Sequence, residues 1–196
     1  MLHPHLRSNT DITHRQLEKQ FISNLQSVNS PEDYEGFLKT IAAFLLPMEE
    51  VLHQFPLKTL IPAIDARKRS KDLLEDIRHY DKNWELMQTA SLPPILTIYH
   101  AIGALYVLEG STLGGPFIAK MIRKQTGLDS TLLYFENYQE KRKAMWNKFR
   151  MALDQSALQP HTETITASAI CCFTAYQKWL EINNKPSYAK NSNSSM

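Results

Sequence analysis

Apolar residues return at steps of three and four along almost the whole chain, and this spacing limits the possible folds more than any motif does. Leu17, Phe21, Leu25 and Val28 step by four, four and three, which puts them on one face of a helix with 3.6 residues per turn. Alternating apolar and polar runs bounded by turn residues, the mark of half-buried strands, are scarce. The spacing predicts an all-α chain. Its first helix runs from about Thr10 to Val28. The second opens at Ser30, a good N-cap, with Pro31 at the first helical position and Glu32 and Asp33 complementing the dipole. Tyr34, Phe37, Leu38, Ile41, Phe44 and Leu45 form its buried face, and Pro47 is expected to kink or end it.

Residues 48–62 read as a helical turn and a loop broken by Pro56 and Pro62. A helix carrying Leu73, Leu74 and Ile77 follows, with Arg67, Lys68, Arg69 and Lys71 near its start as a solvated basic face. The next element opens at Pro93-Pro94, carries Ile95, Ile98, Tyr99, Ile102, Leu105 and Leu108, and continues to a stop at Gly127. Two more helices are expected, at about 137–157 around Trp146, Phe149 and Leu153, and at 162–182 through Ile165, Ala169, Cys172, Tyr176 and Trp179.

A length of 196 residues suits one domain. A domain of this size buries roughly 70% of its unfolded surface, enough to house a flat apolar ligand. We expect the domain to span 1–182, with a disordered tail rich in Asn, Ser and Lys over 183–196. A net charge of +2 supplies no concentrated basic face for nucleic acid. The two cysteines, Cys171 and Cys172, are adjacent and do not form a disulfide framework. No apolar run reaches the ~18–20 residues of a membrane helix, and residues 1–13 lack a signal peptide's apolar core. The expected location is cytoplasmic.

Four of the six glycines fall within Gly103–Gly115. Each costs about 1 kcal/mol relative to alanine inside a helix, so the cluster needs a reason. One is close helix packing through Gly110 and Gly114. The other is approach of a kinked backbone to a flat ligand. A phosphate loop is a poor fit, because no Gly-Lys-Ser/Thr follows. Among the histidines, His14 continues the first apolar stripe by three residues and has Glu18 one turn later. The carboxylate can accept a hydrogen bond from one ring nitrogen and leave the other for a metal. His53 and His100 are the fallback ligands. Glu50 and His53 form a single Glu-x-x-His without the second copy a di-iron bundle requires.

The segment Leu6-Arg7-Ser8-Asn9-Thr10-Asp11-Ile12-Thr13-His14, continuing to Glu18, resembles the proximal helix of the haem oxygenase family. The segment Leu105-Tyr106-Val107-Leu108-Glu109-Gly110-Ser111-Thr112-Leu113-Gly114-Gly115 is similar to the distal helix of that family's bacterial branch, the type associated with bacteriophytochromes. Weaker likeness at Tyr34/Phe37/Leu38, Pro47/Glu49 and Trp146–Leu153 extends the resemblance over most of residues 6–180.

The resemblance implies a single helical domain with haem between a proximal and a kinked distal helix. It implies His14 as the iron ligand and Glu18 as its hydrogen-bond partner. Gly110, Ser111 and Gly114 would border the oxygen site, and Arg7, Lys148 and Tyr106 would contact the propionates. Mammalian relatives carry an aspartate where this chain has Ser111, so backbone groups and ordered water would take over its role, with Pro116 sharpening the kink. Haem would be both substrate and cofactor, opened by oxygen to biliverdin with loss of carbon monoxide and iron. Electrons would come from an external ferredoxin or flavoprotein-reductase type of donor, and the chain would act as a monomer or weak dimer. Two other classes compete. One is a haem carrier or sensor on the same fold that does not turn over; the other is a helical enzyme of the thiaminase type, against which His14 and the glycines argue.

Overall fold

A computed structural model describes residues 1–129 and 132–184, and within them every regular element is helical. The helices are α1 (Leu2–Gln26), α2 (Pro31–His53), α3 (Ser70–Tyr80), α4 (Ile98–Ser111), α5 (Gly115–Thr126), α6 (Leu133–Glu136), α7 (Arg142–Leu153) and α8 (Thr162–Ile182). α8 is the hub, packed against both α1 and α4. No described helix is long and apolar enough to cross a membrane.

α1 starts at Leu2 rather than Thr10. Leu2, Leu6 and Thr10 extend the buried stripe backwards in steps of four. Pro4 is tolerated because the first turn needs no intrahelical N–H donor there. The Asp154 carboxylate at the end of α7 accepts from the His3 N–H at 2.9 Å and caps α1 from outside. α2 begins as expected, with Ser30 Oγ accepting from the Asp33 N–H at 3.1 Å. It does not end at Pro47 but runs six residues further. The carbonyl that Pro47 cannot serve is that of Ala43, and the Ala90 N–H donates to it at 2.9 Å from the strap that follows α3. A partner 47 residues further along the chain thus repairs the helix.

Three further boundaries differ from the sequence expectation. Pro93-Pro94 lie before the helix, which opens at Thr97, its side chain accepting from the His100 N–H. The stretch expected as one helix over 137–157 is shorter, because Tyr138 and Gln139 have positive φ (58° and 41°) and a separate 3₁₀ segment occupies Ser156–His161. Gly127 does stop α5, at φ 71°. Of the expected tail, Asn183 and Asn184 hydrogen-bond to Trp179 and Ser23, and residues 185–196 lie outside the described residues.

Of the basic run at the start of α3, Lys68 and Lys71 are exposed as expected, but the two arginines are not. Arg67 and Arg69 are buried, at 3% and 4% exposure. Arg67 pairs with Glu109 and also donates to the carbonyls of Pro62 and Met145. Arg69 donates to the Leu108 carbonyl at 3.0 Å and lies over the Tyr134 ring. Glu49 of α2 accepts from the N–H groups of Arg69 and Ser70 and caps α3. A buried guanidinium survives only when its donors are matched, and here acids and carbonyls from three other elements match them.

Candidate active site

The four clustered glycines separate into two kinds. A methyl group on Gly103 would stand 2.3 Å from the Ile165 carbonyl oxygen of α8, and one on Gly115 would stand 2.0 Å from that of Phe135. These two permit close backbone packing. A methyl on Gly110 would meet nothing within 4 Å, and one on Gly114 only the Ile118 side chain at 3.7 Å. The packing explanation therefore fails for the two glycines to which the sequence attached it. Both border open space instead.

That space is a cavity of about 1230 Å³, bounded on one side by α1 and on the other by the break between α4 and α5. The break is a 3₁₀ turn, Thr112–Gly114, after which Pro116 sits in the first turn of α5. Pro116 opens a new helix there, where its missing N–H costs nothing. Phe44, Tyr134, Phe135, Phe173 and Tyr176 supply an apolar lining.

His14, Glu18, Arg7, Tyr106, Gly110, Ser111 and Gly114 all line this cavity. His14 Nε2 is 3.5 Å from the Glu18 carboxylate, and its ring meets Phe173 edge-on at 5.4 Å. The Glu18 contact occupies Nε2 and leaves the other ring nitrogen, Nδ1, for a ligand. Lys148 is exposed and does not reach the cavity wall; Arg150, two residues on, does. Arg7 and Arg150 share one end of the cavity with His3, Tyr106 and Trp146. Burial lowers the pKa of His3, and the Arg150 and Arg7 charges lower it further against a smaller pull from Asp154. Two cations at one mouth suit the carboxylates of a ligand whose body is apolar.

Ser111 Oγ donates to the Leu108 carbonyl at 2.7 Å and accepts from Arg69 at 3.1 Å. Beneath the kink, Glu109 holds Arg67 and accepts from the Tyr138 hydroxyl at 2.9 Å. Burial raises its pKa, while Arg67, Arg69 and Tyr138 oppose the rise. Arg69, Arg150 and Asn137 line the cavity without having been singled out in the sequence. The lone glutamate inside the apolar run 101–109 needs a cation nearby, but its ion-pair partner is Arg67, so that signal leads to Arg69 only as a neighbour in the same basic run. Asn137 is 7% exposed, and neither its Oδ1 nor its Nδ2 has a hydrogen-bond partner among the described residues.

His53 and His100 are elsewhere. His53 lies beside Lys68 at a separate cavity of about 410 Å³, and His100 pairs with Thr97 Oγ1 at 2.8 Å.

An all-helical frame, a cavity with glycine backbone on one side and a histidine on the other, and two arginines at its mouth define a protein built to hold a flat ligand with acidic edges. The sequence profile of the Heme oxygenase family matches residues 1–182, and the chain belongs to that family. A haem oxygenase of Xanthomonas campestris pv. campestris (strain 8004) is 34% identical over 125 residues, 63% of this chain and 73% of that protein. Two solved structures share the fold. The NO- and CO-bound haem oxygenase from Neisseria meningitidis superimposes with a TM-score of 0.77 at 23% identity, covering 100% of this chain and 98% of that one. Haem oxygenase-1 from the cyanobacterium Synechocystis sp. PCC6803, in complex with haem, gives 0.74 at 21% identity, covering 92% and 91%.

Proposed function

We propose that the chain binds haem in the cavity between α1 and the α4–α5 break, with His14 on the iron, and opens the ring to biliverdin with release of carbon monoxide and iron. The observation that carries this reading is the glycine split. Gly110 and Gly114 are bare toward the cavity, while Gly103 and Gly115 serve packing. Helix stability alone favours alanine at Gly110, so a backbone kept bare there has value only if something must come close to it.

Haem, when bound, supplies the iron at which oxygen is reduced by electrons from an external donor of the ferredoxin or flavoprotein-reductase type. The chain's own groups do the rest. Glu18 keeps the His14 ring oriented as a neutral ligand. Arg7 and Arg150 orient the propionates at the mouth. Both are exposed, so each contributes about 1 kcal/mol or less to affinity and acts mainly on orientation. Tyr106 packs beside them. Gly110 and Gly114 leave room on the oxygen side, and Ser111, tied to Leu108 and Arg69, fixes the backbone there. The aromatic lining excludes water from the ring. In this reading residues 1–182 form one cytoplasmic domain, a monomer or weak dimer, of the bacteriophytochrome-associated type that the segment 105–115 resembles.

The test is to add haemin to the purified chain, follow the Soret band, and then supply a reductant in air. A saturable Soret band followed by biliverdin supports the enzyme. A stable Soret band without biliverdin marks a carrier, and no Soret band at all overturns the reading.

A further inference from the structure

Asn137 carries a residue role that the family resemblance does not assign. Its side chain is buried, borders the cavity, and has a carboxamide whose donor and acceptor are both unpaired. Buried amides are almost always satisfied, and no group among the described residues satisfies this one. Both amide atoms are closed to solvent as placed; the residue borders the cavity, and a turn about its broad χ2 torsion is what brings them to partners there.

The backbone that presents it is held against its own preference. Tyr138 and Gln139 follow at φ 58° and 41°, a region non-glycine residues seldom occupy. The Tyr138 hydroxyl is anchored on Glu109, the residue before Gly110. Arg142 donates to the Asn137 carbonyl at 2.7 Å, and the Phe135 carbonyl abuts Gly115 at the start of α5. The turn is thus fastened on both sides of the kink. Neighbouring polar groups at the kink are already engaged, because Arg69 and Ser111 bond to each other and to the Leu108 carbonyl.

We propose that Asn137 is a positioning residue of the oxygen side, holding ordered water against the kink through one donor and one acceptor. It rests on the haem reading above. It supplies the water-ordering that an aspartate in place of Ser111 would provide in mammalian relatives, without itself gaining or losing a proton.

The test compares wild type, Asn137→Leu and Asn137→Asp. The first measurement is wild-type haemin binding; its failure overturns the haem reading, and this proposal with it, before any variant is made. Given binding, Asn137→Leu should melt, without haem, at or above the wild-type temperature, since it breaks no hydrogen bond within the protein. Its haemin affinity should stay within about threefold, as no direct ligand contact is lost. With carbon monoxide on the reduced, loaded protein, the C–O stretch should move to higher frequency as the polar environment weakens. Biliverdin yield should drop by about tenfold or more, the scale of impaired proton delivery. Asn137→Asp, of the same shape and still able to accept from water, should retain more yield than the leucine variant. A wild-type C–O stretch and yield in Asn137→Leu overturn the proposal, as does a lowered apo melting temperature with normal yield per folded molecule. Should Asn137→Leu not fold, Asn137→Asp, which lacks the donor, is read in its place, and a wild-type stretch together with wild-type yield there overturns the proposal equally.

Discussion

His14 and Glu18 are both well exposed, at 46% and 62% for the side chains, so their contact contributes little to stability. Its value is directional: the carboxylate and the Phe173 edge hold the imidazole plane while the cavity side stays free. His14→Ala is therefore expected to keep the fold and bind haemin weakly through the apolar walls. It should lose the histidine-ligated spectrum and regain it with added imidazole. A wild-type spectrum in that variant would move the ligand to His3, the other histidine in the cavity wall, since His53 and His100 are not there. The residue pattern made His14 legible because it extends an apolar stripe by one step. Arg150 was legible in principle: it follows Trp146 by four residues and shares its face, whereas Lys148 lies about 200° from Trp146 on the same helix. The resemblance points to Lys148, and the helical phase to Arg150.

Helix spacing carried most of the element pattern, and most failures share one cause. Apart from the start of α4, which rests on the local Thr97 cap, the misreadings turn on partners distant in sequence. Pro47 looks like a stop until Ala90 supplies the missing donor, and Arg67 and Arg69 look solvated until Glu109 and Glu49 are found beside them. α6 is the extreme case, four residues long and held by the Asp76 carboxylate, which accepts from the N–H groups of Leu133 and Tyr134 at 3.1 and 2.9 Å. Burial pushes Asp76 up to about 6 from 3.8, against those hydrogen bonds. Below pH 4 the group is protonated in both folded and unfolded chains. Between about 4 and 6 the unfolded chain ionises first, so stability declines as pH rises, by up to about 3 kcal/mol from this group. Asp76→Asn should lose that decline. Urea midpoints at pH 4 and pH 7 for both proteins test it, and an unchanged wild-type-minus-variant difference across the two pH values would count against the assignment.

At the scale of the molecule, α8 fixes α1 and α4 on its two sides and the cavity opens between α1 and the end of α4. The glycine cluster contains both halves of that arrangement. Gly103 lets α4 approach α8, Gly115 seats α5 on the Phe135 carbonyl, and Gly110 and Gly114 face the cavity. Sequence alone could not divide the four, because each costs the same in a helix and the neighbour that decides its purpose is distant in the chain. The measurement that tests the account most directly is apo melting temperature beside biliverdin yield for alanine at each. Gly103→Ala and Gly115→Ala push a methyl into backbone and should destabilise the apo protein by about 1–3 kcal/mol or more. Gly110→Ala and Gly114→Ala should leave apo stability unchanged or raise it by up to about 1 kcal/mol, bind haemin, and yield little biliverdin. A large loss of apo stability in Gly110→Ala and Gly114→Ala, with normal biliverdin yield per folded molecule, would contradict the assignment of this kink to the oxygen side of the haem.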